Sequence, residues 1–161
     1  MMDKWHSYFS VTAGASATLT GLIFVGISIN LNKILQFRQL PARALGTLIL
    51  LTNNLLVSSF CLIPDQTIFS LGVKISFLTV FVWAFNTRLD VLNIKEKDKT
   101  YRPENIQNMI FNQVTIASFI VSSIYMLSSN SLGIDWLVAG IAMSFVKAIV
   151  DAWVLVIEIQ R

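Results

Sequence analysis

The chain has 161 residues, of which 55% are hydrophobic and 13% charged, with a mean hydropathy of +0.67. A soluble domain carries about 25% charged residues, so this composition excludes an ordinary cytosolic domain, a disordered tail and a soluble nucleic-acid binder. It predicts an all-α, single-domain polytopic transmembrane helix bundle whose net charge of +3 belongs to basic loops.

A helix of about 20 apolar residues crosses a hydrocarbon core of about 30 Å. Five stretches reach that length: residues 8–31, 42–63, 66–87, 105–128 and 134–159. The first is read as a retained span rather than a cleaved signal. Its small cluster Ala13-Gly14-Ala15-Ser16-Ala17 precedes the apolar run, where a cleavage site would follow it. Ala13, Ala17 and Gly21 repeat a small-xxx-small pattern along one face. Lipid tails are as apolar as leucine, so helices associate through close backbone approach. That face predicts a tight helix contact, within the chain or between copies.

The connector NKILQFRQLPAR places apolar residues among basic ones and predicts a short interfacial helix ending near Pro41. In span two, Asn53 and Asn54 lie about 15 Å from Arg43, near mid-bilayer. Cys61, the single cysteine, sits in an apolar run and reads as a small buried hydrophobe. Pro64-Asp65 stops the span. Span three, closed by Arg88, carries Lys74 about 13 Å from Asp65. Residues 88–104 form the one sizeable polar loop, assigned to the cytoplasm; its mixed charges make a poor nucleic-acid patch.

Span four carries Asn108, Asn112, Thr115, Ser118 and Ser122 at spacings of four, three, three and four, with Gln113 beside them. This is one polar stripe, which must face protein or water because lipid leaves amides unsatisfied. Span five holds Lys147 and, four residues on, Asp151, projecting from the same face. Each intramembrane charge costs at least ~2.5 kcal/mol on insertion scales, so such groups are paired, functional or both. Lys147–Asp151 can be a structural pair, and Lys74 can snorkel outward on its four-carbon stem. The functional reading gathers Asn53, Asn54, Lys74, Asn112, Ser118, Ser122, Lys147 and Asp151 into a buried, net-basic polar cluster lining a cavity near the bilayer midplane, with two bases against one acid favouring an anionic guest unless desolvation leaves one lysine neutral.

Charge bias sets the orientation. Nine basic residues fall in the connectors after spans one and three and at the C-terminus: Lys33, Arg38, Arg43, Arg88, Lys95, Lys97, Lys99, Arg102 and Arg161. Outside the spans, the other face holds only Lys4. By the positive-inside rule the N-terminus is outside and the C-terminus cytoplasmic. Trp5, Tyr8 and Trp136 mark the outer boundary. Trp83 and Trp153 lie toward the inner one or pack between helices.

His6 is the one histidine, next to Trp5 at the outer boundary, so no nucleophilic dyad at depth and no metal site is expected. No HExxH, CxxC, Walker loop or dinucleotide fingerprint occurs, and no enzyme or cofactor is predicted.

The stretch from Thr12 to Ala17, with Gly21-Leu22-Ile23-Phe24-Val25, Ser28-Ile29-Asn30-Leu31 and Leu40-Pro41-Ala42-Arg43, resembles a group of small bacterial polytopic inner-membrane proteins. The ending from Ala152 to Ile159 is similar to theirs. That group carries no assigned activity, so the resemblance implies an inner-membrane location and no mechanism. Glu158 is expected as a solvated end charge or as something more. The sequence therefore points to an oligomeric channel or transporter component for an ion or small solute. The alternative is a non-transporting accessory or scaffold subunit that binds other membrane proteins.

Overall fold

The computed structural model describes residues 5–36, 40–95 and 102–160, with side chains defined except at 93–95, 102–105 and 158–160. The charges counted at Lys4, Arg38, Lys97, Lys99 and Arg161, and the side chains of Lys95, Arg102 and Glu158, lie outside the described residues. The described chain is all helical: α1 (His6–Ile29), α2 (Leu31–Ile34), α3 (Leu40–Cys61), α4 (Ile68–Lys95), α5 (Arg102–Leu127) and α6 (Leu132–Gln160). Every one except the four-residue α2 is long and apolar enough to cross a membrane, which makes five candidate spans.

Hydroxyls are common in these helices because the helix itself satisfies them. Thr18, Thr20, Ser28 and Thr115 each donate to the carbonyl one turn back, which leaves no donor for lipid to strand. The turns at one end are built without glycine. Ser129 takes a left-handed backbone (φ 56°), Asn130 N–H reaches Tyr125 O at 2.9 Å and Ser129 N–H reaches Met126 O at 2.9 Å. This paired closure satisfies the last carbonyls of α5. The Asn130 side chain then accepts from Leu132 N–H at 3.0 Å to start α6. Asp65, also left-handed at φ 55°, turns the chain between α3 and α4, and Thr67 caps α4 by accepting from Ser70 N–H at 3.2 Å.

Two expectations need correction. The connector helix is one turn, α2, and Pro41 does not end it. Pro41 instead sits in the first turn of α3, where a missing N–H costs nothing. The third span does not close at Arg88. α4 continues through Asp90 to Lys95, and α5 already begins at Arg102, so most of the 88–104 loop is helix.

Helices α3, α4, α5 and α6 close a ring in which each packs on its two neighbours, and α1 lies outside it along α3. Gly46 comes close to Asn86, Gly72 to Met126 and Gly140 to Phe119, so neighbours run antiparallel in an up-down-up-down bundle. The ends are named here by Arg43, near the start of α3, and Asp65, in the turn after it. Toward the Asp65 end lies the main apolar cluster, including Phe9, Val57, Leu71, Ile75, Phe119, Met126 and Ile141. A smaller one, Ile34, Leu40, Ala44 and Leu155, holds α2 at the Arg43 end.

The close glycine contacts are not the expected ones. α1 buries Phe9, Thr12 and Ser16, while Ala17 and Gly21 are exposed and Ala13 half-buried. A Cβ added at Gly14 or Gly21 would meet nothing within 4 Å. The small-residue face thus makes no tight contact within the described chain. The tight approaches are at α5. A Cβ on Gly72 would stand 2.9 Å from Met126 Cβ and 3.0 Å from Leu127 N. One on Gly133 would stand 3.0 Å from both Met126 N and Ser122 O. Ser122 Oγ donates to Gly133 O at 2.7 Å across the same contact. Backbone cannot yield there. Gly72→Ala and Gly133→Ala are expected to destabilise the fold by ~1–3 kcal/mol each. Gly21→Ala should be neutral or stabilising by up to ~1 kcal/mol through helix propensity. Thermal unfolding in detergent, followed by circular dichroism, checks both.

Candidate functional site

α6 places Lys147 and Asp151 one turn apart, and the ring brings three other helices to them. Lys147 Nζ is hydrogen-bonded and ion-paired to Asp151 Oδ2, each side chain only 3% exposed. Arg43 Nε of α3 donates to Asp151 Oδ1 at 3.1 Å, and the one Thr47 hydroxyl proton is shared between Arg43 O at 3.0 Å and Asp151 Oδ2 at 3.2 Å. Both carboxylate oxygens are therefore engaged, by three donors in all. Lys147 also donates to Asn108 Oδ1 of α5 at 2.6 Å. Asn108 Nδ2 reaches Asp90 Oδ1 of α4 at 3.5 Å, and Asn112 Nδ2 reaches the two Asp90 oxygens at 3.2 and 3.0 Å. One polar network thus ties all four ring helices together near the Arg43 end.

The network carries two cations, Arg43 and Lys147, and two carboxylates, Asp90 and Asp151. As a whole it is charge-balanced, not net-basic as expected. Burying charge costs several kcal/mol per ion unless geometry and hydrogen bonds compensate, and here every charged group has a bonded partner. Arg43, which reads as a loop charge, Thr47, and Asp90, which lies beyond the expected end of span three, are the three members that the sequence does not single out. Asn112, Lys147 and Asp151 are expected site residues, and Asn108 heads the expected polar stripe.

The structure separates the remaining expected residues. Lys74 is not in the network. It donates to Gln66 Oε1 at 2.8 Å, and Gln66 itself donates to the carbonyls of Phe60, in the last turn of α3, and of Ile63, in the turn beyond it. Lys74 therefore belongs to the Asp65-end turn, and the expected two-bases-one-acid cluster is corrected accordingly. Ser118 bonds within α5 and toward Met143 Sδ at 3.6 Å, and Ser122 serves the Gly133 contact. Gln113 accepts from Trp83 Nε1 at 3.0 Å and donates to Thr87 Oγ1 at 3.0 Å, tying α5 to α4.

Asn53 and Asn54 are buried, and neither lies in the network. Asn53 is six residues from Thr47, Thr79 eleven from Asp90, and Ser144 three from Lys147. At the helical rise they lie about 9, 16.5 and 4.5 Å from those network members, toward the Asp65 end. Asn53 Oδ1, both amide atoms of Asn54, Thr79 Oγ1 and Ser144 Oγ have no partner among the described residues. Ser16 Oγ and Ser58 Oγ, on α1 and α3 beside the apolar cluster, are likewise without a partner among the described residues, so neutral polar groups run on toward the Asp65 end.

Two spaces border the network. A cleft of about 510 Å³ between α5 and α6 is lined by Arg43, Asn108, Phe111, Lys147, Val150, Asp151, Val154 and Ile157, among others. Within the ring, a void of about 10 Å³ is bordered by Asn86, Asp90, Asn112 and Asp151, among others. That is about the volume one water requires. The described residues form no group of three metal-ligating side chains. No family model, curated protein or solved structure matches the chain.

Removing one member of a buried ion pair strands the other. Asp151→Asn, which leaves Arg43 and Lys147 without their shared anion, should cost ~3–5 kcal/mol. Adding Lys147→Met should restore part of that loss by removing one stranded cation. Lys74→Ala should cost no more than ~1 kcal/mol, as it removes one hydrogen bond at the bundle end. Chemical denaturation in mixed micelles compares the three.

Proposed function

We propose that the protein is a homo-oligomeric component of a bacterial inner membrane, acting as a channel or transporter element for an ion or small solute, with no catalytic role and no cofactor. The observation that carries this reading is the position of the charges. Arg43, about one-fifth exposed, borders a cleft whose floor is the buried Lys147–Asp151 pair, so the ion-paired network lies next to a space that a guest can enter. The interior supports it. Charged groups sit at the cleft, neutral amides and hydroxyls lie deeper, and the apolar cluster closes the far side. A site open to one end and shut at the other is what a carrier needs in one of its two states. The charge bias of the connectors supports placing the Arg43 end in the cytoplasm, and the resemblance to small bacterial inner-membrane proteins supports the location.

One observation favours the accessory or scaffold reading. The exposed small residues of α1 leave a flat face with no partner in the described chain, and another membrane protein can approach it closely.

Flux decides between them. In liposomes, the wild-type protein is expected to conduct ions or solute. Lys147→Ala and Asp151→Ala, where folded, should lower the rate about tenfold or more, the factor that ~1.4 kcal/mol of lost interaction produces. Impermeable, correctly folded wild-type protein that co-purifies with a specific membrane partner would overturn transport in favour of the scaffold.

A further inference from the structure

We propose that the cleft between α5 and α6 binds a monoanionic carboxylate carrying an apolar chain, an inference that rests on reading this cleft as the protein's binding site. The argument begins with donors left over. Asp151 uses both oxygens to hold Arg43 Nε, Thr47 and Lys147. Arg43 has five N–H donors and Lys147 three. Beyond Nε, the guanidinium nitrogens make no hydrogen bond among the described residues, and Lys147 has two partners, Asp151 and Asn108. Asp151 therefore positions two cations with further donors that have no partner among the described residues, and both cations line the cleft.

Charge selects the valence. Asp90, the second carboxylate of the network, borders the small interior void and not the cleft. The cleft wall itself holds two cations and one carboxylate, with the balancing Asp90 behind it, so the wall is locally positive although the network as a whole is balanced. A single anionic group neutralises it, and the planar nitrogen pair of Arg43 matches the two oxygens of a carboxylate.

The walls select the rest of the molecule. From Lys147 the α6 face runs through Val150 and Val154 to Ile157, ten residues or about 15 Å at the helical rise. Phe111 of α5 faces the same space. A small inorganic anion leaves these apolar walls wet. A carboxylate with a hydrocarbon chain covers them while its head meets Arg43 and Lys147, and a volume of about 510 Å³ suits a small organic molecule.

The test uses the full chain in lipid nanodiscs and carboxyl-labelled octanoate, with saturable carbon-13 shift changes read against empty nanodiscs. Each buried methylene tightens binding about fourfold, so octanoate is expected to bind at least about tenfold more tightly than acetate. Octylammonium should not displace it. Arg43→Gln should weaken binding about tenfold or more, the loss of a charged hydrogen-bond pair. Because that variant disturbs the ion-paired network, Val150→Trp provides a second one, filling the cleft from a half-exposed wall position and abolishing octanoate binding in a folded protein. Equal binding of acetate and octanoate, displacement by octylammonium, or undiminished binding to Val150→Trp would each overturn the proposal. Binding is read without flux. Saturable octanoate binding by a protein that moves no solute would keep the site and discard transport.

Discussion

The bundle depends on one carboxylate. Asp151 accepts from Arg43, Thr47 and Lys147 at once, and through them it joins α3 to α6. An ammonium or guanidinium group in low dielectric needs a counter-ion and filled hydrogen bonds. Two cations from different helices meet that need with one shared anion, which sets how α3 and α6 lie along each other. Asp90 repeats the arrangement with neutral partners, holding α4 to α5 through Asn108 and Asn112.

The same ring packs quite differently at its two ends. Toward Arg43 the helices are joined by side-chain hydrogen bonds and ion pairs, beside a cleft between α5 and α6. Toward Asp65 they meet backbone to backbone at Gly72 and Gly133, and bulky apolar side chains fill the centre. Directional bonds join helices at a distance, whereas dispersion requires contact. The choice of residue at each level therefore fixes the spacing there. α1 takes no part in the ring and packs along α3 through Phe9, Thr12 and Ser16.

Much of this architecture was legible in the residues, and what was hidden has physical reasons. Five apolar runs of bilayer length announced five long helices, because length and hydropathy are local properties. Lys147 and Asp151 announced themselves by the helical period. Asp90 and Arg43 did not. Charges near the end of a hydrophobic run read as its boundary, and nothing local shows that a helix continues past them into a protein-lined environment. Lys74 misled in the opposite way. Depth along a helix was readable from residue counting, but which end of the ring the side chain serves depends on Gln66 and on the carbonyls at the end of α3, through a turn that only the fold defines. The small residues of α1 fit a close-packing pattern, yet the tight contacts formed at single glycines on α4 and α6, where Met126 and the α5 backbone dictate the approach.

The paired glycine contacts also carry a mechanical consequence. α5 is gripped near its Leu127 end on two sides, by α4 at Gly72 and by α6 at Gly133, while its other end borders an open space. From Met126 back to Arg102 it runs 24 residues, about 36 Å from that grip. A tilt of about 5° at that joint would sweep the far end by about 3 Å, so the bonds of Asn108 and Asn112 to Lys147 and Asp90 are what pin that end in place. α5 is thus fixed by close contact at one end and by directional bonds at the other.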